Sequence, residues 1–238
     1  GVELTLQQKH VSVFSLSPRP RTRYHLIMVE SVPKGKTGPT VEGYLQGQFL
    51  IAMPTMGDPR FERALIYICS HSEEGAMGLI VNKSAPGITF NGLLAQVGID
   101  PVLATPKNRD MAPMLEAEER PILFGGPVEP GRGFVLHSQD YLSKDSSLAV
   151  SPEVAMTATV DILRAIVRGT GPSRSIVALG YAGWGPGQLE MEIQENGWLI
   201  CDMNEELLYG PEVDTKYERA LATLGVDLSL LSGDAGHA

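Results

Sequence analysis

Cys69 and His71 lie two residues apart at the end of an apolar run. On a regular strand that spacing puts both side chains on one face. A thiol beside an imidazole is a nucleophile–base pair or half of a metal site. His137, at the end of another short apolar run, is the candidate to complete the set. The chemistry would be thiol- or histidine-based catalysis, or a redox-responsive switch. Against it stands the ordinary role of cysteine as a small buried hydrophobe. One Cys-x-His pair also falls short of the four ligands that structural zinc takes.

Two glycine-rich stretches, 125–133 and 180–187, are the other candidates. Neither contains the Gly-Lys-Ser/Thr of a P-loop, and neither fits the dinucleotide fingerprint, because the run after Gly187 reads as a strand. Glycines permitting tight turns at positive φ are the favoured account of both stretches. Within the first, Glu129 and Arg132 either pair with each other or act as a clamp, with Arg132 reading a carboxylate or phosphate. That would make the chain an anionic small-molecule binding module. Trp184, between glycines, is either a plug over the sheet or a platform that stacks on a ligand. Ser70, Ser84 and Ser138 sit in no Gly-x-Ser-x-Gly elbow.

The elements that must position these residues follow from pattern. Residues 45–52 read as a strand, and Asp58-Pro59 starts a short helical turn. Residues 64–69 and 77–81 are apolar runs around Glu73-Glu74-Gly75, hence a hairpin. Thr89 caps a helix over 90–97, stopped by Gly98. Residues 101–120 have no steady period and read as a mobile loop. Residues 122–124 and 134–137 are short strands, and 148–156 is extended. Thr159 caps a helix over 160–168 whose Ile162, Leu163, Ile166 and Val167 share a face. No recognition helix follows it, so a helix-turn-helix has no local signature. Residues 175–181 form a strand. Leu189, Met191 and Ile193 then alternate with polar residues, which predicts an antiparallel strand turning at Asn196-Gly197 into a last strand over 198–201. Short helices near 204–209 and 215–224 close the chain. Hairpins predominate over βαβ units, which predicts an α+β domain with a largely antiparallel or mixed sheet.

Charge sets the boundaries. The 238-residue chain has a net charge of -9, which argues against direct DNA binding. Residues 1–44 hold six basic and three acidic residues, whereas 187–238 hold eleven acidic and two basic ones. The basic leader, punctuated by Ser17-Pro18-Arg19-Pro20-Arg21 and by a Gly/Pro/Lys stretch over 33–39, reads as a flexible N-terminal extension, with the domain spanning 45–238. No apolar run approaches a membrane span, and two cysteines 132 positions apart make no disulfide framework. A soluble, cytoplasmic protein without metal or cofactor is expected, its oligomeric state open.

Four stretches carry a family resemblance. They are Gln48-Phe-Leu-Ile-Ala-Met-Pro-Thr-Met-Gly-Asp-Pro59; Tyr67-Ile-Cys-Ser-His-Ser-Glu-Glu-Gly-Ala-Met-Gly-Leu-Ile-Val-Asn-Lys83; Gly125-Gly-Pro-Val-Glu-Pro-Gly-Arg-Gly-Phe-Val-Leu-His137; and Ala178-Leu-Gly-Tyr-Ala-Gly-Trp-Gly-Pro-Gly-Gln-Leu-Glu190. In that order and spacing they resemble the AlgH/YqgE family of bacterial proteins over about 45–210. The resemblance implies one compact α+β domain whose bifurcated sheet curls into a pseudo-barrel with helices packed outside. It implies little about function: the family is labelled as regulating transcription or left uncharacterised, with no enzyme activity and no catalytic residues to transfer. A regulatory protein acting through an unknown protein partner or small ligand is the resulting expectation. Cys69, His71, Asn82, Glu129, Arg132, His137 and Trp184 are the motif positions where a ligand or partner site is sought.

Overall fold

The computed structural model describes residues 16–19, 23–26, 44–100, 120–143 and 146–226. The loop expected over 101–120 lies outside these but for its last residue, as does most of 1–44. Leu16–Arg19 (β1) pairs antiparallel with Arg23–Leu26 (β2). Pro18 sits in β1 because a two-stranded ribbon has free edges that tolerate proline.

The remaining strands are β3 (Phe49–Ala52), β4 (Leu65–Ser72), β5 (Gly75–Ile80), β6 (Ile122–Phe124), β7 (Val128–Ser138), β8 (Ser147–Ala149), β9 (Val154–Thr157), β10 (Ser175–Trp184) and β11 (Trp198–Cys201). They form one nine-stranded sheet in the order β11-β3-β4-β5-β10-β7-β9-β8, with β6 beside β10. Every pair is antiparallel except β6 with β10. The sheet curls into a half-barrel, and the fold is α+β as expected.

The sheet forks along β10. Ser175 to Leu179 pair with β7 on one side, and within that stretch Val177 to Leu179 pair with β6 on the other. Ala182 to Trp184 pair instead with β5. Gly125 and Gly126 thread the fork: the Gly125 N–H donates to the Leu179 carbonyl (2.7 Å), and the Gly125 carbonyl accepts from Ile80 (2.8 Å). A Cβ on Gly126 would lie 2.1 Å from the Tyr181 carbonyl carbon, and one on Gly180 (φ +73°) 2.3 Å from the Gly126 oxygen. Only glycine allows two backbones this close. Gly125, Gly126 and Gly180, read as parts of possible phosphate cradles, therefore serve the fork, and the expected 125–133 loop is mostly strand.

The helices are α1 (Phe90–Gln96), α2 (Val160–Val167), α3 (Gln188–Gln194), α4 (Glu205–Tyr209) and α5 (Lys216–Thr223). Thr89 Oγ1 caps α1 by accepting from Gly92 N–H (3.1 Å). Thr159 holds the N-cap position of α2 without a side-chain cap bond. The helical turn expected after Asp58 is a run of hydrogen-bonded turns, opened by Arg60 N–H on Asp58 Oδ1 (2.9 Å).

The expected strand over 189–193 is helix α3. Gln, Leu, Glu and Met are strong helix formers. Leu189 and Ile193, four apart, share the packed face, while Met191 is 59% exposed, which a strand burying all three would forbid. Asn196-Gly197 is the end of this helix rather than a hairpin turn. Asn196 takes φ 58°, its N–H donates to the Ile193 carbonyl (3.0 Å), and the Gly197 N–H donates to the Glu192 carbonyl (2.8 Å). That is a Schellman motif.

Three apolar clusters result. The interior one joins Phe49, Ile51, Leu65, Tyr67 and Leu79 to Leu207, Leu208, Tyr217 and Leu221 of α4 and α5. A second packs α1 and α2 on Val135, Val177 and Leu179. The third packs Leu189 of α3 and both tryptophans on Leu50, Ile66, Ile68 and Ile80. Each fully buried Leu, Ile or Val contributes about 1.5–3 kcal/mol.

Candidate functional site

Cys69 and His71 do not share a face. The register of β4 against β5 slips between Ile68 and Ser70, so Cys69 is the extra residue of a β-bulge. Before it, Leu65 and Tyr67 point into the interior cluster with Cys69; after it, His71 pairs with Ala76 of the opposite-face cluster. Cys69 is fully buried and donates weakly to the Tyr67 carbonyl (3.6 Å). Burial pushes its thiol far above the ordinary range, away from the reactive thiolate.

His71 accepts from the Leu45 N–H at Nδ1 (3.0 Å) and therefore donates from Nε2 to Glu190 Oε1 of α3 (2.8 Å). The Glu190 carboxyl is held below its usual value, first by its own backbone N–H and then by His71. His137 lies on β7, three strands from β4. Its Nδ1 donates to the Ser138 carbonyl (2.9 Å), so Nε2 accepts from Thr157 Oγ1 (2.9 Å). Burial lowers its pKa and keeps it neutral. The thiol–imidazole set is thus taken apart by the fold, and among the described residues no group of three His, Cys, Asp or Glu could hold a metal ion.

Asn82 is a staple: Oδ1 accepts from Leu65 N–H (2.7 Å) and Nδ2 donates to the Arg63 carbonyl (2.8 Å). Glu129 and Arg132 pair with each other (3.1 Å), and the Arg132 guanidinium lies over Phe134 (5.3 Å). Its Nε is buried without a partner among the described residues.

Trp184 lies in the lining of a cleft of about 510 Å³, which opens between the turns after β3, the start of β7, the end of β10 and α3. This is the size of a small-molecule pocket. Trp184 and Trp198 meet edge to face at 5.9 Å, and Phe61 meets Trp198 likewise at 5.8 Å. Both indole N–H groups donate to Glu192 Oε2, at 2.9 and 2.7 Å, while Gln188 Nε2 donates to Glu192 Oε1 (2.9 Å). Arg60 forks onto Asp58 and lies over Phe61 at 5.8 Å. Met56, Val128 and Glu195 complete the walls.

Three of the four motif stretches line this cleft, through Thr55 to Asp58, Pro127-Val128, and Gly183, Trp184 and Gln188. The fourth braces it from behind. His71 holds α3 through Glu190, and a Cβ on Gly75 would lie 2.2 Å from the Trp184 carbonyl oxygen. Of the residues around this cleft, Trp184 is a candidate from the sequence, and Trp198, Glu192, Gln188 and Phe61 are not. A helical reading of 188–194 would have stacked Gln188 and Glu192 one turn apart beside Trp184, and was the available signal. With the fork and the helix in place, the spacing of glycines 183, 185 and 187 still fails the dinucleotide fingerprint.

A model of an AlgH-like family matches residues 49–229. A UPF0301 protein of Bradyrhizobium diazoefficiens is 54% identical over 204 residues, covering 86% of this chain and 93% of that protein. One from Rhizobium rhizogenes is 53% identical over 200 residues, 82% of this chain and 94% of that one. The solution structure of the AlgH protein from Pseudomonas aeruginosa matches with a TM-score of 0.63 at 41% identity, over 84% of this chain and all of that one. The crystal structure of protein DIP2367 from Corynebacterium diphtheriae, 19% identical with a TM-score of 0.58, shares the fold. The chain belongs to the AlgH-like family of bacterial proteins.

Proposed function

We propose that this chain is a non-enzymatic regulatory protein that acts through a small ligand held in the Trp184–Trp198 cleft. The observation that supports this reading is the convergence of three motif stretches on one small cleft whose lining includes aromatic rings and the Glu192 carboxylate. The lining carries no Ser, Cys, His or Lys, and its carboxylates Asp58 and Glu192 are engaged by Arg60 and by the two indoles. Among the described residues no helix is long and apolar enough to cross a membrane, and both cysteines are free thiols, which fits a cytoplasmic site of action.

The test uses a natural advantage: the chain has two tryptophans, and both line the cleft. Intrinsic emission therefore reads this site. Neutral, cationic and anionic metabolites are titrated while emission and melting temperature are followed. A binder at a hundredfold excess over its dissociation constant stabilises by about 2.7 kcal/mol. Silence across all three classes at millimolar concentration would refute the reading. The same protein should leave a DNA duplex unshifted at about 50 mM salt, where phosphate contacts are strong.

The orphan Nε of Arg132 supports a second reading, an anion site beside β7. It predicts thermal shifts with phosphate or acetate that Arg132→Ala abolishes. Equal behaviour of wild type and variant would remove it.

A further inference from the structure

We infer that the ligand of the cleft is a small organic cation, an ammonium or guanidinium group on a compact apolar body. This rests on the reading of the cleft as a small-ligand site and names the chemical class it takes.

Glu192 carries the argument. It is half buried and accepts three hydrogen bonds, all from neutral donors: the two indole N–H groups and the Gln188 amide. Among the described residues no cation lies within ion-pair distance of it. The three neutral donors orient the carboxylate and leave its charge unneutralised, so a bound cation would be its first ionic partner.

The rest of the lining leans the same way. Its charged residues are Asp58, Arg60, Glu192 and Glu195. Arg60 is already spent on Asp58, with Nε and Nη2 both on the carboxylate. Two negative charges remain, so an anionic ligand would meet repulsion. Phe61 adds a ring that already holds a cation, since the Arg60 guanidinium lies over it at 5.8 Å. Both indoles, by contrast, are nearly buried and act through their N–H groups on Glu192. A volume of about 510 Å³ admits a small molecule and excludes a folded partner.

The experiment titrates tryptophan emission with choline, with agmatine and with 3,3-dimethyl-1-butanol, the uncharged isostere of choline, at constant ionic strength. Choline or agmatine should give a saturable shift, and the isostere should bind at least tenfold more weakly. Glu192→Gln keeps an oxygen acceptor for both indoles and should lose at least tenfold in cation affinity while its response to the isostere stays unchanged. If that variant melts far below wild type, the ratio of choline to isostere on wild type decides alone. An isostere that binds as tightly as choline, or a Glu192→Gln protein that binds choline unchanged, overturns the cationic assignment and leaves the cleft standing as a ligand site. If no cation, neutral compound or anion moves the emission, both readings fall.

Discussion

The interior face of the sheet and its outer face under α3 both enclose polar groups, but they treat them oppositely. Inside, each is sealed away from solvent. Cys69 leans on the Tyr67 carbonyl, the Tyr67 hydroxyl is buried, and the Lys216 ammonium donates to the Leu208 carbonyl (2.9 Å). Burial raises the first two and lowers Lys216 to about 8. Outside, Glu192, Trp184 and Trp198 are tied into one network that opens on a cleft. Strongly shifted groups usually mark functional sites. Here the largest shifts sit where nothing can reach them, and the accessible chemistry sits elsewhere. Access, rather than perturbation, separates the two faces.

The sharpest test of that contrast is Trp198→Ala. Trp198 is 3% exposed, and its loss should cost about 3–5 kcal/mol in urea unfolding. A cost below 1 kcal/mol would mean the outer wall is loosely packed and the cleft poorly defined.

Lys216 tests the interior. Its folded value near 8 lies below the ordinary 10.5, so between these pH values the unfolded chain binds more protons. Stability then rises with pH through that window, by as much as ~3 kcal/mol. Cys69 works in the opposite direction above about 9, because its folded thiol keeps its proton. The difference between wild type and Lys216→Met isolates the lysine. A flat difference from pH 7.5 to 10.5 would show that Lys216 is hydrated.

Glu192→Ala should come next, costing about 2 kcal/mol because two mostly buried indole N–H groups lose their acceptor. Glu192→Gln should cost less than about 1 kcal/mol. Equal effects of the two variants would deny the network. The smallest effect is expected from thiol reagents on the native protein. Cys69 and Cys201 are both buried, so labelling near neutral pH should wait for unfolding. Rapid labelling of Cys69 would bring the interior into play as a reactive site.

Where local rules govern, the elements were legible. Thr89 caps α1, the 64–81 hairpin forms, Ile162, Leu163, Ile166 and Val167 are buried together, and β11, α4 and α5 fall where expected. The misreading of 189–193 arose where five residues fit two periods. Leu189, Met191 and Ile193 alternate like a strand, yet two of the three also fit one helix face. Of the site, Trp184 was visible as a tryptophan among glycines, while Glu192 was assigned to a wet strand face.

By itself, then, the sequence determined the Thr89 cap, the helix stops, the 64–81 hairpin and the fold class. Those depend on backbone geometry and hydrogen bonds between near neighbours in the chain. Tertiary structure alone decided three things. A single bulge at Cys69 sends thiol and imidazole to opposite faces. The glycine crossing at 125, 126 and 180 splits the sheet. And Phe61, Trp184 and Trp198 meet around Glu192. Each joins segments with no local preference for one another, held by packing that exists only once the sheet has curled.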